Sequence, residues 1–226
     1  MEERYRKDYA GEFVVTSTTW NAGQKNQERV WIDNPLSEFE ATKRCVIVSD
    51  GKSLPPAKNF PIKALENHIG GLHGVLQMQS YGVQNSWKKF TPHFYVENNP
   101  IELQEIIDAG ADENMQVYAN ARNCLKFPGH LYLMPYNYAS YSNEILALYL
   151  ASFNEHEEIY CLGYEFYNDS NVVNQKLVNE VAKIVTTYTG TKFIFVGDID
   201  KNYDPIRKYT NVSIMKYRSF ISHCDI

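Results

Sequence analysis

The chain changes its hydrophobic rhythm near residue 44. Before that point, "EFVVTSTTW" (residues 12–20) and "ERVWI" (28–32) are β-branched and aromatic, and "NAGQKNQ" between them carries turn chemistry. This predicts a β-hairpin ahead of the main fold, with Trp20 and Trp31 packed across it as a pair. From "RCVIVS" (44–49) onward, the strand segments are short apolar runs without alternation, as expected of strands buried on both faces. Further strands are expected in "GVLQMQSYG", "HFYVENNP", "MQVYAN", "HLYLMPY", "EEIYCLGYEF" and "KFIFVGD", with one more in the tail "NVSIMKYRSFISHCDI".

Helical patterns fall between these runs. "FPIKALENH" reads as a short helix with proline near its start. "IELQEIIDAGA" follows Pro100 and stops at Gly110. "SNEILALYLASFNEH" has Ser142 or Asn143 as N-cap and a nearly all-apolar body. "NVVNQKLVNEVAKIVTTYTG" is amphipathic and closes at Gly190. Alternating strands and helices are the signature of an α/β fold. The expectation is a Rossmann-like, mostly parallel sheet with helices on both faces over residues 41–226, preceded by an N-terminal β-hairpin extension over residues 1–40.

Charge and composition narrow the function classes. The net charge of −5 lacks the basic stripe that phosphate neutralisation needs, so nucleic acid is excluded as the main partner. The basic cluster "RYRKDY" is short and diluted by Asp8 and Glu12. The four cysteines contain no C-x-x-C pair, so zinc spacing is absent; Cys45 and Cys161 lie in apolar runs and read as core. No dense cluster of histidines and carboxylates points to a metal. No segment has transmembrane length or a signal-peptide core, which favours a cytoplasmic setting. The 17 tyrosines have apolar bodies and polar tips, a composition that suits half-wet surfaces and interfaces, a homo-oligomer's among them.

In a parallel sheet, ligands bind beyond the carboxyl ends of the strands. Polar residues recur there: Asp50, Gly51, Lys52 and Ser53 after the first strand; Ser80, Gln84 and Asn85 after the second; Glu97 and Asn98 after the third. Ser140 and Ser142 open the long helix, and Tyr164 and Glu165 follow "EEIYCLG". Gly51 is expected to let a ligand approach the backbone, and Ser53 to donate to it. The N–H groups of the long helix are expected to suit a phosphate. Plain turn and capping roles are the alternative for these residues. Among six histidines none sits in a triad or H-x-x-x-H pattern; His73, beside glycines, is the best placed.

Two resemblances accompany these patterns. "VIVSDGKSL", "NNP", the small-residue turn into an apolar helix and "EEIYCLGYEFY" run in the order of the nucleotide-binding half of the bacterial CMP-sialic-acid-dependent sialyltransferases of the Cst-II type, and are similar to the MptE-like Rossmann proteins. The family's N-G-P-S-L turn corresponds to D-G-K-S-L here, and its G-[ILV]-D-F to Gly163-Tyr164-Glu165-Phe166. The resemblance implies a nucleotide or nucleotide-sugar ligand held at Gly51, Ser53, Asn98 and Ser140 or Ser142, with no other cofactor. The family's lid histidine has no counterpart in "YNDSNVVNQK". Glu165 remains the candidate base, with Asn85 as a further nucleotide contact. Over nearly its whole length, including "GGLHGVLQMQSYG", "PGHLYLMPY" and "YRSFISHCDI", the chain resembles uncharacterised proteins of tailed bacteriophages, particularly cyanophages. That implies action in the cytoplasm of an infected bacterium, or a place in the virion. Two function classes are therefore carried forward: a nucleotide-binding protein with glycosyltransferase-like chemistry, and a non-catalytic interaction or virion-associated protein.

Overall fold

The computed structural model describes residues 3, 6, 13–32, 40–51, 54, 62–66, 68–70, 75–135, 141–198 and 200–224. Among them stand β3 (Arg44–Val48), β5 (Val75–Val83), β6 (Phe94–Val96), β7 (Gln116–Ala119), β8 (Tyr132–Leu133), β9 (Glu158–Leu162), β10 (Lys192–Val196) and β11 (Val212–Met215). They form one parallel sheet in the order β11-β10-β9-β3-β5-β6-β7-β8. A short β4 (His68–Gly70) adds antiparallel to β5. The chain runs from β3 outward to β8, then returns to the other side of β3 and runs outward again to β11. The α/β reading of the sequence is therefore correct, and β3 and β9 flank the topological switch point.

Each strand alternates between two cores. Cys45 and Ile47 of β3 face one cluster with Tyr81, Phe94 and Tyr118, covered by α3 (Asn143–Phe153) and α4 (Gln175–Thr187). Val46 and Val48 face the other, with Leu65, Tyr160 and Phe220, under α5 (Tyr217–Cys224). On that same face, Tyr95, Val117 and Ala119 pack against Leu103, Ile106 and Cys124 of α1 (Pro100–Asp108) and α2 (Ala121–Lys126). α3 has no polar face, and Ile145 to Phe153 are buried throughout, because both sheet and α4 cover it. α4 is amphipathic: Val178, Val181, Ile184 and Val185 face inward, and Glu180 shares that buried face.

Several boundaries differ from the sequence reading. "FPIKALENH" holds a 3-10 turn over Ile62–Leu65 in place of an α-helix. α4 starts at Gln175, where the Asn174 side chain accepts from Leu177 N–H, and ends before Gly190. α2 and α5 were not expected. α5 nevertheless carries a readable signal, since Tyr217, Phe220 and Cys224 recur at helical spacing and are its buried residues. All four cysteines are buried.

The hairpin pairs β1 (Phe13–Asn21) with β2 (Gln24–Ile32) through a two-residue turn at Ala22 and Gly23, both with positive φ. β1 comes against α2. The expected tryptophan pair does not form: the register sets Trp20 opposite Lys25 and Trp31 opposite Val14. Trp20 is 68% exposed.

A buried polar chain ties the amino edge of the sheet together. His156 Nδ1 lies 2.6 Å from the Thr42 carbonyl, which fixes the proton on that nitrogen. Its Nε2 therefore accepts from the Tyr81 hydroxyl at 2.8 Å. That hydroxyl accepts in turn from Asn154 Nδ2 at 2.7 Å, and Asn154 Oδ1 accepts from Arg6 at 3.0 Å. Burial, aided by the Arg6 charge, pushes the His156 pKa down to about 4, although the Thr42 bond opposes it. His156 thus folds neutral. Its contribution is complete above the unfolded value of about 6.5 and is lost as pH falls toward 4. Tyr81→Phe leaves His156 Nε2 and Asn154 Nδ2 unsatisfied in the core. We expect a loss of about 2 kcal/mol in urea unfolding at neutral pH; an unchanged midpoint would show that the chain contributes nothing.

Candidate functional site

The two turns that leave β3 and β9 meet backbone to backbone. Ser49 N–H donates to the Leu162 carbonyl at 3.0 Å, extending the ladder one step beyond the strands. A Cβ placed on Gly51 would lie 2.0 Å from the Gly163 carbonyl oxygen. A Cβ on Gly163, whose φ is +76°, would lie 2.3 Å from the Ser49 oxygen. Neither turn tolerates a side chain on the facing residue. Gly51 borders the site, and its missing side chain also serves the contact between the two turns.

A cavity of about 400 Å³ opens beside this contact, lined by Ser49, Gly51, Gln84, Ser142, Glu144, Gly163, Tyr164, Glu165 and residues of α4. Its place is the crevice expected of an open α/β sheet, and its size is that of a small-molecule site. Gly51, Ser142 and Glu165, far apart in the chain, are brought together here. Glu165 lies against Gly51, with its Cγ 3.1 Å from the position a Gly51 Cβ would take. Asn98 does not line the cavity: its Oδ1 accepts from Asn120 N–H and Nδ2 at 2.8 and 2.9 Å, joining the exits of β6 and β7. Asn85 is exposed outside it. Ser53, His73 and Ser140 lie outside the described residues.

Gln84 was passed over in favour of its neighbour Asn85. Its φ of +57° is uncommon for a non-glycine residue and turns the side chain into the site. Gln84 Oε1 accepts from Asp50 N–H at 3.2 Å, and its Nε2 donates to Glu144 of α3. One amide thus links the first turn to the helix. Tyr164 fixes the same helix from the β9 side, donating its hydroxyl to the Glu144 carbonyl at 2.7 Å. The Tyr164 carbonyl accepts from Asn202 Nδ2 at 2.8 Å, and Phe166 N–H donates to Asn202 Oδ1 at 3.0 Å. The exit of β9 is therefore held on two sides.

The start of α3 is richer in carboxylates than the sequence suggested. Glu144 lies in its first turn. Glu180, 6% exposed and contributed by α4, lines the same cavity as Ser142 and Glu144. Burial, with the like charge of Glu144, holds the Glu180 pKa above the ordinary carboxylate value, while Lys176 and the Ser142 N–H pull the other way. The Ser142 hydroxyl is shielded from solvent and has no hydrogen-bond partner among the described residues. Lys176, 3.8 Å from Glu180, is the one cation among the described lining residues. Among the described residues no group of three or more His, Cys, Asp and Glu is placed to hold a metal ion, and no helix is long and apolar enough to cross a membrane. No protein-family model matches the chain, nor does any curated protein or solved structure.

Glu97, at the exit of β6, braces the helix from its far side. It is 1% exposed. Its Oε1 accepts from Asn98 N–H, Asn99 N–H and Asn143 Nδ2 at 2.7–2.8 Å, while Oε2 has no hydrogen-bond partner among the described residues. Burial, reinforced by Glu102, raises its pKa to about 7 against the pull of Asn99 and Asn143. The folded protein thus holds a proton that the unfolded chain has lost. The associated stability is present below about pH 4.5 and disappears as pH rises through 7.

Two predictions follow the two contacts. Gly51→Ala should lower stability by about 2 kcal/mol or more, because backbone must move to admit the methyl group. A thermal midpoint equal to that of the parent would contradict the packing described. Glu97→Gln keeps the acceptor oxygen and removes the ionisation. It should flatten the decline in stability between pH 4.5 and 7 and leave the variant more stable than the parent at pH 8, by about 1–3 kcal/mol. Parallel pH profiles of the two proteins would refute the assignment.

Proposed function

We propose that the chain is a Rossmann-like binding protein for a nucleotide or nucleotide sugar, seated in the switch-point cavity with sugar hydroxyls against Glu165 and Glu144. The observation that carries this reading is the convergence of Glu165, Glu144, Gln84 and Ser142 on one small-molecule-sized cavity at the carboxyl edge of β3 and β9. Carboxylates accept from vicinal hydroxyls, and an acidic side chain takes the ribose hydroxyl in many folds of this architecture. The Ser142 hydroxyl, without a hydrogen-bond partner among the described residues, supplies a further donor or acceptor. If glycosyl transfer follows, Glu165 is the base: it takes the acceptor hydroxyl's proton as the acceptor oxygen bonds to the anomeric carbon and the nucleotide leaves with the electron pair of the broken bond. The proposal extends to action in an infected bacterium, a setting supported by the resemblance to phage proteins.

A second reading, a non-catalytic interaction or virion-associated protein, draws on the hairpin. Trp20 is exposed near its turn, and Lys25 to Arg29 are exposed beside it. Large exposed aromatic rings are enriched where proteins meet.

Calorimetric titration with CMP, CDP, UDP, GDP and their sugar conjugates separates the two. Glu165→Gln should weaken binding of the responding ligand about tenfold, the scale of one charge-assisted hydrogen bond, with no change in melting temperature. Asn85→Ala, outside the cavity, should bind as the parent does. Equal weakening in both variants would remove the cavity from consideration, and an empty screen at millimolar ligand would favour the interaction protein.

A further inference from the structure

We infer that Glu97 regulates the switch-point cavity without lining it: the proton that its carboxyl group carries or releases at the start of α3 sets the affinity for ligand. The inference rests on the cavity being the ligand site. Glu97 stands at the exit of β6 and is 1% exposed. Its Oε1 accepts from Asn143 Nδ2 at 2.8 Å, and Asn143 is the first residue of α3. The residues on either side of Asn143 are Ser142 and Glu144, and both line the cavity. Asn98 N–H and Asn99 N–H complete the hold on Oε1 at 2.8 and 2.7 Å. These three donors stay satisfied whether Oε2 bears a proton or a charge. Protonation therefore changes the field at the start of the helix and leaves its position alone.

The two states differ in cost. Oε2 is shielded from solvent and has no hydrogen-bond partner among the described residues. A buried carboxylate oxygen without a donor is expensive when charged. Among the described residues, Glu102 in the first turn of α1 and Tyr95 on the same strand are the titratable groups that act on it. Arg122 of α2 is exposed, and Asp50 and Lys89 pair with each other beside the exit of β3. Burial, with the like charge of Glu102, brings the titration of Glu97 to about pH 7. A ligand raises the cost of the charge further. It displaces water from the start of α3, and any phosphate it carries adds negative charge. A charged Glu97 also disfavours the charge on Glu144, the acceptor proposed for ligand hydroxyls. Each effect favours the protonated state in the complex. Binding therefore takes up a proton, and affinity falls as Glu97 ionises.

The test titrates cytidine, uridine, guanosine, CMP, UDP and GDP into parent, Glu97→Gln and Glu102→Gln at pH 6, 7 and 8. The comparison of proteins cancels any titration of the ligand itself. The parent should bind the responding ligand about three- to tenfold more tightly at pH 6 than at pH 8, the scale of one charge acting across roughly ten ångströms of protein. Binding heats in buffers of different ionisation enthalpy should show uptake of about a quarter to a half of a proton near pH 7.5. In Glu97→Gln the pH dependence and the uptake should both disappear, with affinity near the parent's value at pH 6. Glu102→Gln keeps the Glu97 carboxyl and removes the like charge beside it. It should move the midpoint of the parent's profile to lower pH, and it serves if the first variant does not fold. A parent whose affinity is flat or rises with pH, or a dependence that Glu97→Gln retains, overturns the inference and leaves the binding site standing. Where Glu97→Gln does not fold, an unmoved midpoint in Glu102→Gln does the same. Failure of every probe to bind parent and variants at all three pH values overturns the site and the inference together.

Discussion

The backbone contact between Gly51 and Gly163 is the constraint from which the site descends. It brings two turns from opposite arms of the sheet to within van der Waals distance at the place where the strand order reverses. Once they touch, the residues beside them have little freedom. Glu165 lies over Gly51, Asp50 presents its N–H to Gln84, and Gln84 reaches Glu144. Tyr164, adjacent to Gly163, closes the circuit through the Glu144 carbonyl. The first turn of α3 is thus fixed from the β3 and the β9 sides at once. A catalytic or binding group held this way loses little conformational entropy when a ligand arrives.

The arrangement concentrates negative charge. Glu97, Glu144 and Glu180 all lie near the start of α3, which is the end of a helix best able to bear them. Two of the three are buried, and burial raises the pKa of both. The helix dipole offsets only part of that desolvation, so this end of the molecule favours protonation as pH falls. His156 at the opposite edge does the reverse, since it folds neutral and resists acid. Over the weakly acidic range the two groups oppose one another, and each masks the other's slope in the intact protein.

The parallel sheet was legible because buried strands such as "CVIV" and "FIFV" have no alternation, and because Pro100, Asn99 and Ser142 sit where helix starts require them. The crevice followed from topology alone, and it gathered Gly51, Ser142 and Glu165. Less legible was which polar residue at a strand exit faces inward. Asn98 and Gln84 look alike in the chain, but Asn98 is taken up by Asn120, while a positive φ at Gln84 turns it into the site. Glu180 was hidden for another reason. In sequence it is one charge on the stripe of an amphipathic helix; only the packing of α4 against α3 makes it part of the cavity. The contact of the glycine turn with a distant backbone leaves no local trace in the chain.

The two edges of the sheet differ in how completely their polar groups are satisfied. At the amino edge, the chain from Arg6 through Asn154, Tyr81 and His156 to Thr42 pairs each group that it buries with a partner. At the carboxyl edge, Ser86 Oγ, Tyr95 Oη, Glu97 Oε2 and Ser142 Oγ are shielded from solvent without a hydrogen-bond partner among the described residues. Leaving such atoms unpaired costs on the order of 1–3 kcal/mol each. Ser142 is the member of that group that borders the cavity, so it is where the cost is recoverable by a ligand hydroxyl, whereas Glu97, held by three donors on its other oxygen, relieves its share by keeping a proton.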